Sequence, residues 1–214
     1  MLLQKKNRSW ELMKVYLIRH GETDWNKQKC LQGQSDFLLN DYGRELARIT
    51  GEALKDVPFD LAISSPLSRA LETAKLVVGD RDIPMMKDRR IQEISFGDYE
   101  GLSYHPDHFT VPDPEFMNFF QAPAAYRVPP NGESFEQILA RTGAFWAELV
   151  ETYGKKNGTI LVSTHGCALK AILANIRRTP VEQFWGEGVH KNCAVSIVTA
   201  DGSKVEIEEG KIFY

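Results

Sequence analysis

Val15-Tyr16-Leu17-Ile18-Arg19-His20-Gly21-Glu22-Thr23-Asp24-Trp25-Asn26 is the stretch that decides the fold of this chain. Val15 to Ile18 is a short apolar run with the composition of a buried strand. It stops on Arg19-His20-Gly21, a guanidinium and an imidazole suited to phosphate chemistry, followed by a residue that lets the backbone turn. In an open α/β sheet, ligands bind just beyond the carboxyl ends of the strands, so a cation and an imidazole placed there are positioned to meet a substrate. A tripeptide is weak evidence, and His20 by itself reads as a core histidine. The reading therefore depends on whether other segments bring compatible groups to the same edge.

Two further segments do so. Asn40 offers a cap for a helix over residues 41–55, with Leu46, Ile49, Ala53 and Leu54 at helical spacing. After a turn at 57–60, residues 61–64 form a second short apolar strand, and Ser65-Pro66 is read as the cap and first residue of a helix carrying Arg69. Ser134 and Gln137 form a capping-box pattern that opens the longest helix, residues 135–153, and Gly154 stops it. Residues 159–163 are a third buried strand ending on Thr164-His165-Gly166, with a helix following to about Asn175. Residues 194–199 and 204–208 flank Asp201-Gly202, a two-residue hairpin signal. The alternation predicts an α/β fold, a three-layer α/β/α sandwich with a mainly parallel sheet and an antiparallel element near the C-terminus.

Parallel strands would place Arg19-His20, Ser64-Ser65 with Arg69 beyond, and Thr164-His165 on one sheet edge. Two arginines and two histidines there make an electropositive pocket, and an arginine fork suits phosphate oxygens. Helix N-termini at Pro66 and Gly166 are expected to add backbone donors.

Composition narrows the function. With 214 residues, 43% of them hydrophobic and 26% charged, one large domain is the default. A net charge of -3 argues against a nucleic-acid surface. Cys30, Cys167 and Cys193 are too few and scattered for a disulfide framework or zinc cluster, which points to a reducing cytoplasm. No apolar run is long enough to span a membrane, and Lys5, Lys6 and Arg8 leave the N-terminus without a signal peptide's apolar core. Residues 1–13 are read as an extension to a single domain over 14–214. Within that domain, about residues 102–131 form an insertion rich in proline and aromatics, read as a lid over the site.

The motifs resemble those of the histidine phosphatase superfamily, also called the phosphoglycerate mutase-like family. The matching pieces are Arg19-His20-Gly21-Glu22-Thr23 with Trp25-Asn26, Gln32-Gly33, Ser64-Ser65-Pro66 with Arg69-Ala70 and Thr73-Ala74, Glu93-Ile94 with Phe96-Gly97 and Glu100-Gly101, and Ser163-Thr164-His165-Gly166. The resemblance implies the phosphoglycerate mutase-like fold and a transient phosphohistidine on His20. It also implies that Arg19, Arg69 and His165 hold the phosphoryl oxygens and that Glu93 protonates the leaving oxygen. Asn26 and the backbone of Gln32, Gly33 and Gly166 would complete the pocket. Glu93 is chosen over Glu22, Glu72 and Glu100 by its motif position.

Residue chemistry agrees with these roles. A histidine nucleophile must be neutral, and nearby arginines push it that way. Enough fixed positive charge stands in for a metal, so neither metal nor cofactor is expected. Arginines favour the Glu93 carboxylate while a bound phosphate dianion favours its acid form, so activity is expected to fall at alkaline pH. Between Ile94 and Asn131 the only Lys or Arg is Arg127, a poor trap for a second phosphate or carboxylate. The insertion's aromatics suit an apolar part of a monoester instead. The expected protein is a monomeric or homodimeric cytoplasmic phosphatase of small phosphomonoesters, with no nucleic-acid or membrane partner. A phosphoglycerate mutase and a non-catalytic phosphate-binding protein are the alternatives. His105 and His108, in the insertion, are read as solvent-exposed, and Cys167 as a small buried residue that begins a helix.

Overall fold

The opening apolar run forms strand β1, Met13–Arg19, in a computed structural model that describes residues 12–154, 157–200 and 204–214. Further strands are β2 (Leu61–Ser64), β3 (Met85–Lys87), β4 (Thr159–Thr164), β5 (Val195–Ala200) and β6 (Val205–Lys211). They make one sheet in the order β3-β2-β4-β1-β5-β6. The pairs β3/β2, β2/β4 and β4/β1 are parallel, and β1/β5 and β5/β6 are antiparallel. Parallel pairing needs a crossover between strands, which the helices supply. They are α1 (Asp24–Lys27), α2 (Asp41–Ala53), α3 (Ser68–Val78), α4 (Asn118–Gln121), α5 (Phe135–Tyr153) and α6 (Gly166–Arg177).

Side-chain alternation along the central strands builds two cores, one on each face. Val15, Leu17, Ile63, Ile160 and Val162 pack with Phe145 and Leu149 of α5 and with Leu169 and Ile172 of α6. Their neighbours Ile18, Ala62 and Leu161 face the other way, against Leu46 and Ala47 of α2 and Val77 and Val78 of α3. The result is the three-layer sandwich of the phosphoglycerate mutase-like fold. A third cluster is built largely from residues beyond the sheet: Phe96, Phe116, Phe119, Phe135, Phe184 and Trp185.

Local signals hold where the hydrogen bonds are local. Asn40 caps α2 by accepting from Gly43 N–H at 2.8 Å, and Ser134 with Gln137 closes the capping box of α5. Three expectations change. Met13 is fully buried and pairs with Ala200, so it is the first residue of the strand and lies inside the domain. Residues 1–11 of the extension lie outside the described residues, as does the Asp201-Gly202 turn. The helix after β2 begins at Ser68, not at Ser65-Pro66, because the Ser65 hydroxyl is engaged by His165 Nε2 at 2.8 Å. Asp36 takes over the cap, accepting from the Ser68 N–H at 2.6 Å and its hydroxyl at 2.7 Å. Finally, the insertion's aromatics are divided between two jobs. Phe116 and Phe119 are buried in the third core, while Tyr104, Phe119 and Phe120 line a cavity at the sheet edge.

Candidate active site

That edge is where the three strand ends meet. His20 N–H donates to Thr164 O at 2.9 Å, and Ser65 N–H to Ser163 O at 2.9 Å, so the polar termini are tied side by side. The cavity there holds about 160 Å³ and is lined by Arg19, His20, Asn26, Gln32, Gly33, Arg69, Glu93 and Gly166. Its outer wall is apolar: Leu31, Phe96, Tyr104, Phe119, Phe120, Trp185 and Val189. His165 stands just behind, with its ring centroid 5.2 Å from that of His20.

His20 is presented in one tautomer. Its Nδ1 lies 2.6 Å from the carbonyl of Gly21, and a carbonyl only accepts, so the proton sits on Nδ1 and Nε2 carries the lone pair. The turn that allows this is crowded. A Cβ at Gly21 would stand 2.4 Å from Gly43 O, so the residue after His20 must lack a side chain. Thr73 of α3 fixes the same turn by accepting from Gly21 N–H at 2.9 Å. Burial, then Arg69, then Arg19, holds His20 well below the ordinary imidazole range, so it is neutral at physiological pH. His165 is lowered in the same way, by burial first and Arg69 second.

Both arginines are held by backbone carbonyls, Arg69 fully buried and Arg19 half-buried, and Glu93 is the acidic group that acts most strongly on both. Arg69 is fully buried and donates to Ser35 O and Gly33 O, both at 2.7 Å. Arg19 donates through Nη1 to His190 O. Desolvation lowers both, Arg69 to about 10, and both remain protonated at neutral pH. The Nε atoms of Arg19 and Arg69 and Nδ1 of His165 are buried and have no partner among the described residues. Buried donors are rarely left unmatched, so unmatched groups beside two guanidinium cations make a candidate anion site.

Among the described residues Glu93 is the one carboxylate lining the cavity. The second and third residues of α6, Cys167 and Ala168, hold it with their amides, while Gly166 lines the cavity. Its Oε1 accepts from Cys167 N–H and Ala168 N–H at 3.1 Å, and from its neighbour Ile94 N–H at 3.0 Å. Oε2 accepts only the longer bond from Cys167 N–H, at 3.2 Å, and is the freer oxygen. A Cβ at Gly166 would lie 3.6 Å from both Oε2 and Arg19 Nε, so glycine there lets the acid and the cation approach. Glu72 is paired with Arg44 at 2.7 Å, and Glu100 accepts from Gln34 N–H and Ser35 N–H, at 2.9 and 2.8 Å. The site thus separates Glu93 from the competing glutamates.

Gln32 and Gly33 both line the cavity. The Gly33 carbonyl anchors Arg69 and the Gln32 side chain accepts from Thr23 Oγ1 at 3.0 Å, so of the backbone groups of this pair only the N–H groups could donate to a phosphate. Asn26 Oδ1 accepts from Thr23 N–H at 3.2 Å and Asn192 Nδ2 at 3.3 Å, which leaves the Asn26 amide nitrogen as the group available to a ligand. Sequence reasoning missed Asn192, which also donates to His20 O at 3.0 Å, and the wall residues Trp185 and Val189. Their segment has no strand or helix periodicity to announce it. His105 and His108 stack on each other, with centroids 5.8 Å apart, and do not line the cavity. Cys167 is buried, as expected, and lines the cavity floor. Among the described residues, no group of three or more His, Cys, Asp and Glu side chains is placed to hold a metal ion, and no helix is long and apolar enough to cross a membrane.

A neutral, buried histidine in a cavity with a buried and a half-buried arginine, at the carboxyl edge of a sheet with this strand order, defines a phosphoglycerate mutase-like α/β protein with a candidate anion site. The chain belongs to the histidine phosphatase superfamily (branch 1), whose family model matches residues 15–211. The solved structure of Bacillus stearothermophilus YhfR is similar, with a TM-score of 0.84 and 35% identity, covering 92% of this chain and 96% of that one. An adenosylcobalamin/alpha-ribazole phosphatase of Escherichia coli (strain K12) is 34% identical over 181 residues, 85% of this chain and 87% of the relative. A 2,3-bisphosphoglycerate-dependent phosphoglycerate mutase of Mesorhizobium japonicum is 31% identical over 165 residues, 74% and 79% of the two chains. The superfamily therefore contains both hydrolases and isomerases similar to this chain.

Proposed function

We propose that this protein is a metal-independent phosphatase that hydrolyses a small phosphomonoester through a phosphohistidine on His20. The observation that carries the proposal is the His20 tautomer: a neutral imidazole with Nδ1 tied to Gly21 O and Nε2 unprotonated, in a cavity lined by Arg19 and Arg69. In the first step, Nε2 attacks phosphorus and the P–O bond to the leaving group breaks. Glu93, protonated when the phosphate dianion is bound, gives its proton to the departing oxygen. Arg19, Arg69, His165 and the Asn26 amide hold the non-bridging oxygens as charge builds on them, and Gly166 keeps space open for that contact. In the second step, a water oxygen attacks phosphorus, Glu93 takes the water's proton and the P–N bond breaks. His20 regains its lone pair and inorganic phosphate leaves.

Two features favour water over a second phosphoryl acceptor. Among the described residues the cavity lining contains no Lys or Arg besides Arg19 and Arg69, and both are committed to the transferring phosphoryl group. The remaining wall of Phe96, Tyr104, Phe119, Phe120 and Trp185 suits an apolar or aromatic leaving group, with the insertion at about 102–131 acting as a lid. A mutase must grip the second anionic end of a phosphoglycerate, and this wall offers it no cation.

Hydrolysis of p-nitrophenyl phosphate in the presence of a chelator, by wild type and His20→Ala, tests the proposal. Turnover that survives the chelator and disappears in the variant is the expected result. Isomerisation of 3-phosphoglycerate on addition of the bisphosphate, without net hydrolysis, would instead make it a mutase. Phosphate affinity with no turnover on any ester would make it a binding protein.

A further inference from the structure

Among the described residues the Arg19 side chain has one hydrogen-bond acceptor, the main-chain carbonyl of His190. That carbonyl lies in an irregular segment between α6 and β5, where among the described residues no amide of Val189, His190, Lys191 or Asn192 donates to a backbone carbonyl. Something other than a ladder must hold it in place. The His190 side chain is buried, and its Nε2 lies 3.0 Å from Ser196 Oγ on β5 and 3.4 Å from Glu209 Oε1 on β6. The Ser196 hydroxyl is fixed in turn by Gly210 N–H at 3.1 Å. Glu209 is held by Lys170 at 2.8 Å and Arg177 at 2.5 Å, both on α6. The imidazole is therefore a plug seated between the last two strands and the helix that also carries the Glu93-binding amides.

We infer that His190 is a positioning residue for the phosphate site: its buried side chain, anchored by Ser196 and the Lys170–Glu209–Arg177 group, holds the His190 carbonyl where it fixes the Arg19 guanidinium against the phosphoryl oxygens. This rests on the reading of Arg19 as a phosphate-binding cation. The physical logic is that of an outer partner orienting an inner one. A guanidinium held on one edge by a fixed carbonyl presents its other donors in one orientation, and with that carbonyl adrift it must be ordered by the ligand itself. Lys170 and Arg177 keep Glu209 ionised, and Glu209 facing Nε2 favours the Nε2–H tautomer of His190. His190 does not touch the reacting atoms and takes no proton.

The test is a double-mutant cycle read by inorganic phosphate binding, measured by calorimetry so that turnover is not needed. His190→Ala is expected to weaken phosphate binding about tenfold, and Glu209→Gln, at a partly exposed side chain, to weaken it less with the same sign. In an Arg19→Met background, His190→Ala should have no further effect on binding, because its influence passes through Arg19. On p-nitrophenyl phosphate, KM and the phosphate inhibition constant should rise together. Equal losses from His190→Ala with and without Arg19, or unchanged binding in both Glu209→Gln and His190→Ala, would overturn the inference. Wild type without phosphate affinity would overturn the reading of the site, and this inference with it.

Discussion

The burial that keeps His20 neutral has a cost in acid. His20 is 3% exposed and His165 not at all, and both are held well below 6.5 in the folded protein. In the unfolded chain they titrate at the ordinary value, so below pH 6.5 the unfolded state binds protons that the folded state refuses. The sign follows: the stability is fully present above 6.5 and is lost as pH falls. Between pH 7.5 and 5.5 each such histidine removes about 1.4 kcal/mol, and the pair about 2.7 kcal/mol. His190, lowered to about 4 chiefly by burial, pulls in the same direction. Urea unfolding of wild type and His20→Ala at the two pH values isolates one histidine, because every other titrating group is common to both. Wild type should lose about 1.4 kcal/mol more than the variant, roughly half a molar in the midpoint at an m of about 2–3 kcal/mol/M. Equal losses would mean that His20 takes a proton in the folded state as readily as in the unfolded one, and the argument for a neutral nucleophile would fail.

Three further outcomes are expected. Glu93→Gln should slow hydrolysis of phenyl phosphate far more than that of p-nitrophenyl phosphate, whose better leaving group needs less protonation, and should abolish the alkaline fall in rate. A pH–rate profile on both esters measures this. Gly43→Ala puts a Cβ 2.1 Å from Glu22 O, where backbone meets backbone and neither can move aside, so a loss of about 3 kcal/mol or more is expected in thermal or urea unfolding. Phe119→Ala empties the centre of the third core, where Phe119 packs on Phe96, Phe135 and Trp185 at 5.0–5.2 Å between centroids, and should cost about 3–5 kcal/mol by the same measurement.

What could be read from the sequence follows the range of each interaction. The capping boxes, the 135–153 helix and the strand-ending tripeptides depend on residues within four positions of one another, and their spacing announces them. The convergence of Arg19, His20, Arg69 and His165 is also legible, because parallel strands must bring their carboxyl ends to one edge. Ser65 shows the limit. As a sequence it is an N-cap, but a histidine 100 positions away claims its hydroxyl, and the helix starts later.

The sequence by itself therefore determined the layers, the sheet edge that carries the chemistry and the residue types gathered there. Only the tertiary structure decided which atom of each residue faces the ligand. The Cys167 and Ala168 amides hold Glu93, Gly33 gives its carbonyl to Arg69, and Arg19 leans on His190, 171 positions along the chain. A buried donor takes whichever acceptor folding brings within 3 Å, and local spacing carries no record of partners that meet only when the chain closes on itself.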